Sequence, residues 1–135
     1  PKQYTATLAF NRRKSMARIL LADDDGMVRD LVERVLTAGG HTVRVAQDGQ
    51  EALGLADNGG GPFDVLVTDV HMPGIDGITL AKTLAAKQPG LKVLLLSGFP
   101  EQLQRGKAEL PGRVETLTKP CSVEDLRARL AALIG

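Results

Sequence analysis

Short apolar runs alternate along the chain with segments in which apolar residues recur every three or four positions. The runs are typical of buried strands, and the three-to-four spacing is typical of helices that bury one face. From residue 18 onward this alternation occurs five times, which predicts five strand-helix units. The predicted strands are 19–22, 42–46, 63–68, 91–96 and 114–117, and the last helix covers 123–134.

Capping and breaking residues mark the ends of these elements. Asp48 and Ser122 stand where they can cap the second and fifth helices. Residues 58–62 are rich in glycine and end in proline, which predicts a loop. A helix is also predicted after Pro100, although Leu103 is one of few apolar residues there to anchor it.

The pattern predicts an α/β fold. Nearly continuous apolar strands joined by helices are typical of a parallel sheet covered on both faces. Right-handed crossovers then limit the topology to a doubly wound sheet of five strands. Such sheets bind ligands beyond the carboxyl ends of the strands, where the strand order reverses, so any chemistry is expected at that edge.

Residues 1–16 do not follow the pattern and are predicted to be an N-terminal tail or linker before a domain at 17–135. Apolar residues alternate with others over 4–10, which is also consistent with a short strand that pairs with a preceding domain or another protomer. Met16 followed directly by the first strand favours a free-standing protein.

Composition limits the partners. Lysine and arginine (17) nearly balance aspartate and glutamate (16), so no overall field argues for a nucleic-acid partner. Cys121 is the single cysteine, and no Cys/His cluster suggests zinc. No apolar stretch is long enough to span a bilayer, and no signal-like segment begins the sequence. The expectation is a cytoplasmic protein with no membrane and no direct nucleic-acid contact.

Polar side chains stand at the carboxyl ends of four predicted strands. Asp23 and Asp24 follow the first, Asp69 the third, Ser97 the fourth and Lys119 the fifth. Because these ends share one edge of the sheet, three acids, a hydroxyl and an ammonium are expected in one pocket. Converging carboxylates raise the cost of ionising one another, so a cation is expected, and oxygen ligands suit Mg²⁺.

This combination is suited to accepting a phosphoryl group. Asp69 would supply the attacking oxygen as a covalent nucleophile. The metal and Lys119 would neutralise the transferring oxygens.

Four motifs, "ILLADDD", "VLVTDVHMPGIDG", "LLLSG" and "LTKP", occur in this order and resemble the receiver domain of bacterial two-component response regulators over nearly all of 17–135. The resemblance implies a flavodoxin-like sheet with strand order 2-1-3-4-5. It also implies Mg²⁺ as the cofactor, held by Asp23, Asp24, Asp69 and the backbone carbonyl of His71.

The resemblance further implies a role for each remaining pocket residue. Asp69 would accept phosphate from a histidine kinase or a histidine phosphotransfer protein. Ser97 would hydrogen-bond the phosphoryl group and signal its presence. Lys119 would form an ion pair, before a cis Pro120.

Two positions depart from the family pattern. Thr116 stands where a tyrosine or phenylalanine switch is frequent, and Cys121 stands where phenylalanine commonly follows the Lys-Pro pair. A switch is therefore expected to work through loop and helix movement. It would change the affinity of the helix 4, strand 5 and helix 5 face for an unknown downstream protein. A homodimer is left open, and no DNA-binding segment follows the fifth helix before Gly135.

Other interpretations remain open. The chain could be a receiver domain excised from a hybrid sensor kinase, or an interaction module that works without phosphorylation. A phosphatase with an aspartyl nucleophile would want a second acid two residues after Asp69, where this chain has His71. Flavin binding has little aromatic support, with no tryptophan and one tyrosine. No enzyme activity is expected beyond formation and hydrolysis of the protein's own acyl phosphate.

Overall fold

The computed structural model of the protein describes residues 16–134. The expectations for the tail, including the alternation over 4–10, fall on residues outside this range. The proposed boundary between tail and domain is therefore still a prediction.

Over residues 16–134, five strands and five main helices alternate, as predicted. The strands are β1 (Arg18–Ala22), β2 (Thr42–Ala46), β3 (Val65–Asp69), β4 (Lys92–Ser97) and β5 (Val114–Thr118). The helices are α1 (Gly26–Ala38), α2 (Gly49–Leu55), α3 (Gly77–Lys87), α4 (Pro100–Glu109) and α5 (Val123–Ile134). None of the helices in this range is both long enough and apolar enough to cross a membrane.

All neighbouring strands pair in parallel, in the order β2-β1-β3-β4-β5. This confirms the doubly wound α/β fold and the expected strand order. The order reverses between β1 and β3, which lie side by side with Ala22 opposite Thr68. Whatever follows these two strands therefore lies together at the carboxyl edge of the sheet.

The sheet separates two apolar layers. Successive strand residues point to opposite faces, so Leu20 packs with α2, α3 and α4, whereas Ile19 and Leu21 pack with α1 and α5. The apolar residues of β1, β3 and β4 are fully buried or nearly so, because helices cover both faces. The strand ends at the pocket are thus held by a rigid core.

The predicted loop at 58–62 is partly wrong. One irregular π-helical turn, Ala56–Gly60, extends α2 into it, although Asn58 and Gly59 leave helical geometry. Gly59 has φ +83°, a conformation that glycine adopts without a steric penalty. The Arg18 guanidinium, which comes from β1, donates a hydrogen bond to the Gly60 carbonyl at the end of this turn.

The predicted start of β3 at Phe63 is also wrong, and the strand begins at Val65. The Phe63 N–H donates to Gln88 Oε1 at 3.1 Å. The side chain of a distant residue thus accepts the hydrogen bond that a carbonyl of a neighbouring strand would otherwise accept. The buried Phe63 ring lies 5.7 Å from the Arg18 guanidinium, measured to the ring centroid.

Helix α4 packs closely on the sheet because of a glycine. Gly106 is buried, and a Cβ at this position would overlap the Leu95 side chain on β4. Glycine disfavours a helix interior by about 1 kcal/mol relative to alanine. Here it allows an approach that larger residues would prevent, which explains how α4 docks with few apolar side chains.

Candidate functional site

Three aspartates lie together where β1 and β3 end. Asp23 and Asp24 follow β1, and Asp69 is the last residue of β3. Carboxylate oxygens from the three lie within 4.8 Å of one another. Asp23 is buried, Asp69 is partly buried and Asp24 is exposed, so the cluster is open to solvent on one side. The structure thus brings together all three acids that the sequence placed in one pocket.

The segment after β3 turns away from the open side of the carboxylate cluster. The Gly77 N–H donates to the Val70 carbonyl at 2.8 Å, which returns the chain to β3 at once. A Cβ on Gly77 would overlap the Asp69 carbonyl oxygen, so only glycine allows α3 to begin this close to the strand end. The Asp69 carboxylate is consequently only partly buried, and the backbone that carries it is held in place.

Lys119 supplies the positive charge of the site. Its ammonium lies 3.0 Å from Asp23 Oδ2 and 3.1 Å from Asp69 Oδ2. Its backbone N–H donates to the Ser97 carbonyl at 2.8 Å, which anchors the residue to the end of β4. The Lys119-Pro120 peptide bond is cis, as the resemblance implied.

The charges of the site are only partly balanced. Burial raises the pKa of Asp69 and the neighbouring Asp23 adds to this, while Lys119 and the N–H of His71 oppose it without cancelling it. Burial alone would lower the pKa of Lys119, but its hydrogen bonds and charge contacts with Asp23 and Asp69 outweigh burial and raise it. One firmly protonated ammonium therefore contacts two carboxylates of a cluster of three.

The donor set fits a small divalent cation. Mg²⁺ prefers oxygen ligands, usually one or two carboxylates, and keeps several of its waters. Asp23, Asp24 and Asp69 each offer an oxygen within 4.8 Å of the others, and the exposed side of Asp24 leaves room for water. The geometry and the excess negative charge both agree with the Mg²⁺ site expected from the sequence.

Ser97 lies at the end of β4, but its hydroxyl is directed to α4. The Ser97 oxygen accepts a hydrogen bond from the Phe99 N–H at 3.0 Å and lies 2.7 Å from Gln102 Oε1, to which it donates. Within residues 16–134 it makes no hydrogen bond to the acids. The predicted contact between Ser97 and a phosphoryl group therefore stays a prediction. Sequence analysis missed Gln102, and its place in the first turn of the helix after Ser97 was the available signal.

The other singled-out residues have secondary positions. The His71 side chain is exposed, and the role of its carbonyl as a metal ligand is still a prediction. Thr116 is partly buried on β5. Burial raises the pKa of the Cys121 thiol, with Lys119 opposing, so the thiol is not activated as a nucleophile.

Comparisons with known proteins identify a family and several relatives. The family model described as the response regulator receiver domain matches residues 19–131. Response regulator MprA of Mycobacterium sp. (strain KMS) is 38% identical over 117 residues, which are 87% of this chain and 50% of that protein. The transcriptional regulatory protein TcrA of Mycobacterium tuberculosis is 37% identical over 121 residues, 90% of this chain and 47% of that protein. The chain thus spans about half the length of these curated relatives.

Solved structures show the same fold. The Vibrio cholerae chemotaxis protein CheY4 superposes with a TM-score of 0.76 at 34% identity, over 87% of this chain and 98% of that chain. The receiver domain of the hybrid histidine kinase CckA gives 0.72 at 35% identity, over 87% and 99%.

Proposed function

This chain belongs to the response regulator receiver family of two-component systems, and on that premise we propose that Asp69 accepts a phosphoryl group from a histidine kinase or a histidine phosphotransfer protein. The observation that carries the proposal is the position of Asp69 among the other charged residues of the pocket. It is a solvent-accessible carboxylate held between two further acids and a single ammonium. Such a group combines a nucleophilic oxygen with a charge partner for the transferred oxygens.

The transfer exchanges one bond to phosphorus for another. An oxygen of the ionised Asp69 carboxylate attacks the phosphorus of a phosphohistidine, and the P–N bond breaks as the O–P bond forms. The electron pair of the broken bond goes to the imidazole nitrogen. Lys119 favours the ionised form of Asp69 through a 3.1 Å contact and faces the oxygens that become part of the acyl phosphate.

Asp23, Asp24, Asp69 and the carbonyl of His71 would hold Mg²⁺. When bound, the ion supplies positive charge next to the transferring oxygens. Reversal of the signal requires only water, whose oxygen attacks phosphorus to release inorganic phosphate and restore the Asp69 carboxylate. The protein therefore acts on itself and needs no diffusible substrate beyond the phosphoryl donor.

The output is proposed to pass through the α4, β5 and α5 face. Ser97 would turn toward the new phosphoryl oxygens, and because it leads directly into α4, its movement would shift that helix. Thr116 has no ring to follow it, so the loop after β4 and α4 would carry the change. The altered face would bind a downstream protein, a second copy of the chain or an attached domain.

The setting of this domain follows from the same premise. A two-component receiver of this kind would work in the cytoplasm, where its phosphoryl donors are found. The TcrA relative is about twice as long and is named a transcriptional regulatory protein, so an output domain on the same polypeptide is one form of the proposal. The likeness to a receiver of a hybrid histidine kinase supports a second form, in which the domain is part of a kinase.

Intact-mass spectrometry tests the proposal. We expect the protein to gain the mass of one phosphoryl group when it is incubated with acetyl phosphate and Mg²⁺, and Asp69→Asn to gain none. Asp76→Asn is the matched control, because Asp76 follows the same strand but caps α3. If the wild type gained no mass in this experiment, a module that interacts without phosphorylation would be the better account.

A further inference from the structure

The hydroxyl of Ser97 has one proton, and in this structure it donates that proton in a hydrogen bond to Gln102. A serine hydroxyl donates one hydrogen bond and accepts up to two. The Ser97 oxygen accepts from the Phe99 N–H at 3.0 Å, which uses acceptor capacity, and its 2.7 Å contact with Gln102 Oε1 uses the only donor. Ser97 is buried, so solvent does not offer an easy replacement partner.

A phosphoryl group needs that same proton. Its oxygens are hydrogen-bond acceptors only, so Ser97 can bind them only by donating. A single proton cannot serve the Gln102 carboxamide and a phosphoryl oxygen at full strength. The contact with the phosphoryl group and the contact with Gln102 are therefore alternatives.

We propose that Gln102 is a positioning residue that holds Ser97 in the unphosphorylated arrangement and that must release it when Asp69 is phosphorylated. This inference rests on the proposed function and adds a part to it. Breaking the hydrogen bond between Ser97 and Gln102 would cost free energy, and the contact with the phosphoryl group would have to offset that cost. Gln102 would thereby set the threshold of the switch.

The position of Gln102 also explains how α4 would sense the change. The N-cap of α4 is Phe99, whose side chain makes no capping hydrogen bond. The first turn is instead fixed to β4 through Ser97, which accepts from Phe99 and donates to Gln102. When the hydroxyl turns away, the first turn of α4 loses a contact that its own cap cannot replace. The pocket and the helix would thus be coupled without an aromatic residue at 116.

A purely structural role for Gln102 makes a different prediction. If the side chain only helped α4 to fold, its loss would lower stability and leave the affinity of the pocket unchanged or weaker. If it competes for the Ser97 proton, its loss should make the pocket bind a phosphoryl mimic more tightly. The direction of the change in affinity separates the two roles.

Beryllofluoride with Mg²⁺ is the probe, because it mimics the acyl phosphate and its dissociation constant can be measured by calorimetry. We expect Gln102→Leu to bind beryllofluoride up to about fivefold more tightly than the wild type, the ratio that corresponds to one net hydrogen bond. Gln104→Leu is the matched control, with the same substitution at an exposed position of the same helix, and its dissociation constant should equal that of the wild type. Gln102→Glu keeps an acceptor for Ser97 and should not bind more tightly.

A double-mutant cycle with Ser97→Ala completes the test. Without the hydroxyl there is nothing for Gln102 to hold, so Gln102→Leu should have no effect on beryllofluoride affinity in that background. An unchanged or weaker affinity of Gln102→Leu, or an equal gain with and without Ser97, would overturn the inference. Failure of the proposed function would look different, because the wild type itself would then not bind beryllofluoride.

Discussion

Two sets of aspartates lie at the same edge of the sheet and have different surroundings. The cap acids are Asp25, Asp48 and Asp76, at the N-termini of α1, α2 and α3. Each accepts at least one backbone N–H, such as that of Glu51 to Asp48 at 2.8 Å and that of Thr79 to Asp76 at 2.7 Å. The pocket acids are Asp23, Asp24 and Asp69. Two of them, Asp23 and Asp69, share Lys119 as their ammonium partner.

One member of each set shows how the surroundings shift the pKa of the same residue type in opposite directions. Burial would raise the pKa of Asp76, but the hydrogen bonds from Thr79 and the charge of Arg105 outweigh it and lower the pKa. In Asp69 burial prevails and raises the pKa. A carboxylate whose charge the backbone already compensates stabilises a helix, whereas one left in excess is available to a cation or an electrophile.

Replacing the ammonium of the pocket should have the largest effect. We expect Lys119→Met to slow phosphorylation by acetyl phosphate about 10²- to 10³-fold, the range for loss of one preorganised group facing a reacting oxygen. The rate is followed by intact mass over time. Lys87→Met removes an exposed ion pair with Asp57 and is expected to change the rate by less than about twofold. If the Lys119→Met protein reacted at the wild-type rate, Lys119 would have no role in the phosphorylation of the protein.

Removing the exposed pocket acid should weaken the metal site. Asp24→Asn is expected to reduce Mg²⁺ affinity about tenfold or more, since a charged oxygen ligand is lost. Calorimetric titration measures this directly. Asp30→Asn is a control of equal charge change at an exposed position on α1, and solvent and salt should screen its effect on the ion. An equal loss of Mg²⁺ affinity in both variants would indicate that Asp24 acts through its charge in general and is not a ligand of the ion.

Loss of a cap acid should lower stability and leave the pocket intact. Asp76→Ala is expected to reduce the free energy of unfolding by about 1 kcal/mol. Because the fold lowers the pKa of Asp76, its contribution is complete above the ordinary value of 3.8 and is lost as pH falls through the lowered pKa. Urea unfolding should therefore show the difference at neutral pH and a smaller one in acid. A difference that grew on acidification would contradict the assignment.

Neutralising Asp69, the proposed nucleophile, should have the opposite effect on stability and the smallest effect of the four. Asp69→Asn is expected to raise the thermal midpoint in metal-free buffer, on the order of 2–4 °C. Because the fold raises the pKa of Asp69, ionisation costs stability once the pH exceeds the ordinary value of 3.8, and the cost is complete above the raised pKa. The gain should shrink in acid and when Mg²⁺ stabilises the wild type. A lower midpoint in the variant would show that the Lys119 contact outweighs burial.

The sequence predicts much of this arrangement because its strongest signals are local. Periodicity placed the strands, and short polar residues before apolar turns identified the caps at Asp48 and Ser122. The convergence of Asp23 and Asp69 followed from the rule that parallel strands end at one edge. These features depend on chain order and need no knowledge of side-chain packing.

The features that sequence analysis missed depend on contacts between distant segments. The turn that extends α2 is held by Arg18 from another strand. The closeness of α4 depends on Gly106 fitting against Leu95, where a helix propensity scale counts glycine as unfavourable. The partner of Ser97 was missed for the same reason, because a hydroxyl can bond to any acceptor that packing brings near. The predicted helix after Pro100 indicated that Gln102 lies near Ser97, but the hydrogen bond between them required the packed structure.

We propose that the excess negative charge of the pocket acids recruits a divalent ion and so prepares Asp69 to take up phosphorus. The most direct test is phosphorylation by acetyl phosphate at increasing Mg²⁺ concentration, followed by peptide mapping of the modified residue. We expect a rate that rises with Mg²⁺ to saturation and a single acyl phosphate on Asp69. A rate independent of Mg²⁺, or phosphate on another residue, would contradict it.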